Sequence, residues 1–111
     1  MGVTRILEMN TDPFDKFTRK EILLTFQYRG IDAKIFHTWH FGMMDQEYNA
    51  THLEIMGYDV YSIGRANDEE IIRLSNAGKK AIDAHLDKKM PIRIALIWAD
   101  TWLRVRKLLR N

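Results

Sequence analysis

The sequence contains no cysteine among its 111 residues. Without thiols the chain cannot form a disulfide, a cysteine zinc site or a thiol nucleophile, and it is compatible with a reducing compartment. The first residues hold no apolar signal-peptide core, and the longest nearly uncharged apolar stretch, 94–99, is far too short to cross a membrane. We therefore expect a cytoplasmic protein with no membrane partner.

Proline and glycine are also scarce, with two prolines and six glycines, and no repeat, low-complexity tract or linker divides the chain. Hydrophobic residues make up 46% of the sequence and aromatic residues 11%, which is enough to build a core at this length. We therefore expect a single domain over residues 1–111.

Motifs for catalysis are missing as well. The sequence has no Gly-rich phosphate loop, no nucleophile elbow and no paired-carboxylate motif. His37 and His40 have the spacing of one helical face, but the sequence fixes no third metal ligand beside them. We expect a protein that is not an enzyme, with no catalytic residue, no metal and no cofactor.

Signals for helix starts and stops are frequent in the first half. Thr18 and Glu21 have the spacing of a capping box, and Phe17 and Ile22 that of a hydrophobic staple. Gly30 is well placed to end this first helix. The pattern predicts a helix from about residue 18 to residue 30.

Two further helices are predicted before the middle of the chain. Asp32 can cap a helix that runs to about His40, and Asp45 can cap a third helix that Gly57 ends. A β-hairpin is predicted next, with Tyr58–Ile63 paired antiparallel to Glu70–Leu74.

The hairpin is followed by a predicted fourth helix, which Ser75 can cap. The stretch 53–60 has a leucine four residues before a glycine, and 72–82 runs from a strand into a Leu-Ser-x-x-Gly helix start. Over residues 18–86 this order resembles winged-helix proteins of the MarR and PadR kind, including small phage and prophage members. The resemblance implies a mostly α fold with a small β-hairpin: a winged helix-turn-helix core, followed by a long C-terminal helix over about 91–110.

The resemblance also implies a function, namely binding of double-stranded DNA and regulation of transcription. In such proteins the third helix enters the major groove and the wing contacts phosphates. Asn and Gln side chains can read adenine, and an arginine near the wing suits a phosphate. The candidate DNA-binding residues are Gln46, Asn49, Thr51, His52 and Arg65.

The charge distribution supports an alternative. Residues 45–70 hold one arginine against seven carboxylates, whereas residues 71–111 hold ten lysines and arginines against three aspartates. An acidic third helix and wing would suit a basic protein surface better than DNA. The alternative is a winged-helix protein-interaction module, such as a phage or prophage factor that binds a host protein.

The C-terminal helix, opened by Pro91, has an unusually wide apolar surface that needs a partner. Three partners remain open at this point: the rest of the domain, a second copy of the chain, or a membrane surface that the tryptophans and arginines would suit. We expect a homodimer. The candidate interface residues are Ala95, Trp98, Trp102, Val105 and Leu109.

Overall fold

The chain folds as an antiparallel sheet followed by two helices. The computed structural model describes residues 6–9, 18–41 and 47–110. The elements in this part of the chain are β1 (Ile6–Met9), β2 (Thr18–Tyr28), β3 (Ile31–Phe41), β4 (Glu47–Ile55), β5 (Tyr58–Ile63), α1 (Asp68–Asp87) and α2 (Ile92–Arg110). The strands form one five-stranded meander in chain order, and every neighbouring pair is antiparallel.

The expected mostly α winged helix is therefore wrong. The three segments predicted as helices, about 18–30, 32–40 and 45–57, form β2, β3 and β4. The predicted strand Tyr58–Ile63 is confirmed as β5, but β4 is its partner. Its predicted partner, Glu70–Leu74, lies within α1. The domain is an α+β fold in which the sheet is the largest element.

Two hairpins explain why the predicted helices ended at glycines. Arg29 and Gly30 form the two-residue loop between β2 and β3, and Met56 and Gly57 form the loop between β4 and β5. All four have positive φ, from 52° to 84°. Two-residue loops with positive φ at both positions match the twist of antiparallel strands, and glycine adopts this conformation without strain.

The helices agree better with the sequence. A helix was expected from Pro91 onward, and α2 confirms it. The preceding helix, α1, begins at Asp68, well before the predicted start at Ser75. Asn67 is its N-cap, because the Asn67 side chain accepts a hydrogen bond of 2.8 Å from the backbone N–H of Glu70.

The helices cover one face of the sheet. Along β4, Thr51, Leu53 and Ile55 are buried, whereas His52 and Glu54 between them point to the opposite face. This alternation is typical of an antiparallel strand with one face on the core. We call the sheet face turned away from the helices the open face.

A β-bulge in β2 interrupts this alternation. Ile22 pairs with Phe36 and Leu24 pairs with Ile35, so Leu23 is the extra residue. Consequently Leu24 faces the helices while Ile22 lies on the open face, and three consecutive side chains of β2 are buried.

Gly78 lets α1 approach the sheet closely. A Cβ atom at this position would lie 3.1 Å from Cζ of Phe26 and 3.4 Å from Cδ1 of Leu53. The neighbours of Gly78 thus lie on β2 and β4. Helix α1 contacts β2, β3 and β4, and α2 contacts α1 and β5. One hydrophobic core joins the sheet to both helices.

Candidate functional site

One side of α2 is fixed in the core of its own chain. Ile92, Ala95, Leu96 and Ala99 are at most 5% exposed and belong to the main hydrophobic core. Ala95, which we expected at a dimer interface, is therefore inaccessible to a second chain. The small side chains of Ala95 and Ala99 suit the close contact between α2 and α1.

The opposite side of α2 exposes large apolar side chains. Their exposed fractions run from 39% to 83%: Ile94, Ile97, Trp102, Val105, Leu108 and Leu109. We call these six residues the apolar face of α2. Scattered apolar residues are normal on a protein surface, but a continuous group on one helix side marks an interaction site.

Cations border the apolar face at Trp102 and at the neighbouring Trp98. Lys80 Nζ lies 4.8 Å from the ring centroid of Trp98 and 4.1 Å from that of Trp102. Lys88 and Arg106 lie over the same two rings, at 5.6 Å and 5.1 Å respectively. These cation–π contacts partly cover the rings, and Trp98 also packs against the core.

A partly buried ion-pair network joins α2 to α1. Arg73 Nη1 donates to Asp100 Oδ1 at 2.9 Å, and Arg104 Nε donates to Asp100 Oδ2 at 3.0 Å. Arg73 also holds both carboxylate oxygens of Glu70, at 3.0 and 3.1 Å. The hydrogen bond from Arg73 lowers the pKa of Glu70, although desolvation opposes it. Because Asp100 is held inward, the apolar face must point outward.

A second cluster lies on the open face. The rings of Phe36 and His52 stack at 4.7 Å with an interplanar angle of 7°, and Tyr61 lies 5.7 Å beyond His52. Lys20 Nζ lies 4.1 Å above the Phe36 ring. Phe36 is therefore buried although it faces away from the helices, and Tyr61 is exposed.

Polar contacts hold His52 in this row. His52 Nδ1 lies 2.6 Å from Asp59 Oδ2, and His52 Nε2 lies 3.0 Å from Thr38 Oγ1. The order hydroxyl, imidazole and carboxylate is that of a hydrolase triad. The three side chains nevertheless occupy neighbouring positions on β3, β4 and β5, where such cross-strand contacts are ordinary. We interpret these contacts as structural, because they hold the side chains of the open face in place.

The predicted DNA-reading residues do not share a surface. Gln46 lies outside the described residues. Thr51 is fully buried on the helix side, where its hydroxyl bonds to Gly64 O and Ala66 N at 2.7 and 2.9 Å. Asn49 faces the same side, and its Oδ1 lies 3.1 Å from His37 Nε2. His52 lies on the other side, in the open-face row.

Arg65, predicted near a wing tip, lies in the connection between β5 and α1. Its Nη2 donates to Glu21 Oε1 on β2 at 2.8 Å. This contact ties the connection to the sheet and uses the charge that was expected to contact phosphate.

The acidic segment 45–70 does not form one acidic surface in the part of the chain that is described. Glu54 pairs with Lys34 on the open face at 3.9 Å, and Asp59 contacts His52 there. Glu70 instead joins Arg73 between the two helices. The charges counted together in the sequence lie on different sides of the fold, which weakens the argument for a basic protein partner.

Four of the five predicted dimer residues remain candidates. Val105 and Leu109 are well exposed, Trp102 is partly exposed and Trp98 is half-buried. Three exposed residues of the same helix were not predicted as interface residues: Ile94, Ile97 and Leu108. The signal that could have found them is the pair of alanines on the other side, which marks where α1 packs.

His37 is not part of a metal site within the described residues. Its ring is buried against Trp39 at 4.3 Å, and the described residues contain no group of three or more metal-ligating side chains. In the same part of the chain, neither helix is long and apolar enough to cross a membrane.

No family model, curated protein or solved structure matches this chain.

Proposed function

We propose that this protein is an interaction module that works as a homodimer in the cytoplasm, with the apolar face of α2 as its dimer contact. One observation carries the proposal: six large apolar side chains are exposed on a helix whose other side is fixed in the core. Burying such a side chain stabilises a complex by about 1.5–3 kcal/mol, before the cost of association.

The composition of this surface also suits a protein contact. Its middle is aliphatic and aromatic, and its borders carry Arg93, Arg104 and Arg106. Tryptophan and arginine are enriched where proteins bind one another, and polar groups usually form the rim. The face lies on a regular helix, so a second copy can pack against it side chain by side chain.

Exchanging Ile97 for glutamate should convert the dimer to a monomer. Ile97 lies in the apolar face, and each dimer would bury the new carboxylate twice without a partner. We expect dimer affinity to fall about 100-fold or more, as for an interface hot spot. Sedimentation velocity over a concentration series measures the change.

The matched control is Ile63→Glu. Ile63 is 90% exposed on the open face, so the same substitution there should leave both the dimer and the fold unchanged. If Ile97→Glu sediments as the wild type does, α2 is not the contact.

A second candidate function, nucleic-acid binding, is favoured by the position of the basic residues. Six cations on the two helices and the turn between them form no ion pair with a carboxylate of the described residues: Lys79, Lys80, Lys88, Lys89, Arg93 and Arg106. Phosphate contacts depend on charge and require no base-reading helix. Weak, sequence-independent binding of duplex DNA is therefore compatible with this fold.

Fluorescence anisotropy with a labelled duplex tests this candidate. Binding should weaken as salt rises, and Lys89→Glu should reduce the slope of log affinity against log salt by about 1. Lys34→Glu, on the open face, should leave the slope unchanged. Absence of binding at ~50 mM salt, where screening is weak, would eliminate the candidate.

A further inference from the structure

We propose that the free edge of β5 binds an extended segment of another protein, which pairs with β5 and adds a strand to the sheet. The partner segment presents a cationic side chain opposite Asp59 and apolar side chains opposite Tyr61 and Ile63. These residues are separate from the apolar face of α2, so the inference does not depend on the proposed homodimer. It follows from the hydrogen-bond register of β5 and from the side chains that flank its edge.

The register of β5 determines which of its backbone groups point away from β4. Just beyond the strand, the Gly64 N–H donates to the Asn49 carbonyl oxygen at 3.0 Å. Bonded and non-bonded pairs alternate along an antiparallel ladder, so every second residue before Gly64 bonds to β4. The residues between them direct their N–H and C=O groups to the free edge: Asp59, Tyr61 and Ile63. Within the described residues, β5 is the last strand of the sheet and these groups have no backbone partner.

Exposed apolar side chains flank this edge on both faces of the sheet. On the open face, Tyr61 is 64% exposed and Ile63 is 90% exposed. On the helix side, Tyr58 lies opposite the buried Ile55 and is 49% exposed. An added strand alternates its side chains as β5 does, so it covers both rows while its backbone bonds to the edge. A docked helix has no free backbone groups to offer, because its N–H and C=O groups bond to each other.

β5 lacks the features that usually protect an edge strand. Its sequence, YDVYSI, contains no lysine and no proline, and its pairing with β4 runs without a bulge. Its only charged residue is Asp59, and the Asp59 carboxylate lies 2.6 Å from Nδ1 of His52. An edge with these properties suits the addition of a strand.

Charge favours another protein over a second copy of β5 at this edge. Two copies paired antiparallel about Tyr61 would use every outward group, but each Asp59 would then lie opposite the other copy's Ile63. Registers shifted by two residues leave one outward position of each copy unpaired. The Asp59 carboxylate is 42% exposed, and a cation opposite it is more favourable than an aliphatic side chain.

A library of random linear peptides displayed on phage is the probe for this edge. Peptides selected on the wild type should alternate apolar and other side chains beside a lysine or arginine, without proline in that stretch. In the free protein, the amide of Tyr61 should exchange rapidly with deuterium, and a selected peptide should protect it. The amide of Ser62, which bonds to β4, should exchange slowly in both states. Slow exchange at Tyr61 in the free protein would overturn the proposal.

Variants at the edge test whether the peptides pair with β5. Ile63→Lys keeps the backbone but adds a cation, and it should weaken binding about 10-fold or more. Tyr61→Pro removes an outward donor without breaking a bond to β4, and it should weaken binding at least as much. The matched control Gln27→Lys, beside Asp32 on β2, should leave affinity unchanged. Equal binding to all three variants, or a library from which no peptide is enriched, would overturn the proposal.

The oligomeric state separates this inference from the homodimer. Peptide binding that persists in Ile97→Glu supports the edge of β5 as a site independent of α2. Wild-type assemblies of more than two chains that Ile63→Lys abolishes would overturn the proposal, because copies of the chain would then pair through β5.

Discussion

Leu53→Ala should remove about 3–5 kcal/mol from the free energy of unfolding. Leu53 is fully buried in β4, and its Cδ1 would lie 3.4 Å from a Cβ atom at Gly78 of α1. Truncation there removes the packing of the side chain and leaves a cavity between two rigid layers, which cannot collapse to fill it.

Urea denaturation followed by circular dichroism measures the loss at fixed protein concentration, because dimerisation makes stability depend on concentration. The control, Ile63→Ala, removes a similar aliphatic side chain from the next strand, where it is exposed, and should change stability by less than about 0.5 kcal/mol. Equal effects of the two substitutions would mean that the helices do not cover this face of β4.

Asp100→Ala should have the second largest effect, a loss of about 3 kcal/mol. The Asp100 carboxylate is 11% exposed and accepts hydrogen bonds from Arg73 and Arg104. Its removal leaves the nearly buried Arg73 guanidinium with Glu70 alone. The loss of one of two partners of a nearly buried charge is costly, whereas an exposed ion pair contributes little.

Two further variants separate charge from packing in this network. Asp100→Asn keeps the shape of the side chain and one acceptor oxygen, so it should lose less stability than Asp100→Ala. The double exchange Arg73→Met with Asp100→Leu should recover part of the loss, since an apolar pair leaves no unpaired charge. If the Asp100→Ala variant and the wild type unfold at the same midpoint concentration of urea, this network does not join α1 to α2.

The sequence predicted the C-terminal part of the fold better than the rest. Pro91 and the regular spacing of the apolar residues after it fit a helix alone, and α2 forms in this segment. The start of α1 was missed because the residues between Ile63 and Glu70 were predicted to connect the two strands of a hairpin. Asn67 does favour a change of direction, but here it caps a helix.

The sheet was missed because the helical and the strand periodicity of apolar residues both fit the same segments. In β3, Ala33, Phe36 and His40 have helical spacing, while Ala33, Ile35 and His37 have the alternation of a strand. The bulge at Leu23 gave β2 a run of apolar residues that fits a helix equally well. A capping box is a short pattern, and strand pairing between distant segments overrode it here.

Part of the candidate site could be predicted from the sequence. The wide apolar surface of α2 was predicted to need a partner, with the rest of the domain, a second copy and a membrane left open. The core of the domain covers one side of it, and six apolar residues remain exposed. The predicted interface was rotated toward Ala95, because a single helix does not reveal which side its own chain covers. That side depends on Asp100 meeting Arg73 on α1, a contact between residues far apart in sequence.

Sedimentation equilibrium of the wild-type protein at several concentrations shows whether the chain forms the proposed homodimer. We expect a species of twice the chain mass of 13.1 kDa, which dissociates only at or below micromolar concentration. A single species of one chain mass at all concentrations, up to about 100 µM, would contradict the homodimer, because the apolar face of α2 would then have no second copy against it.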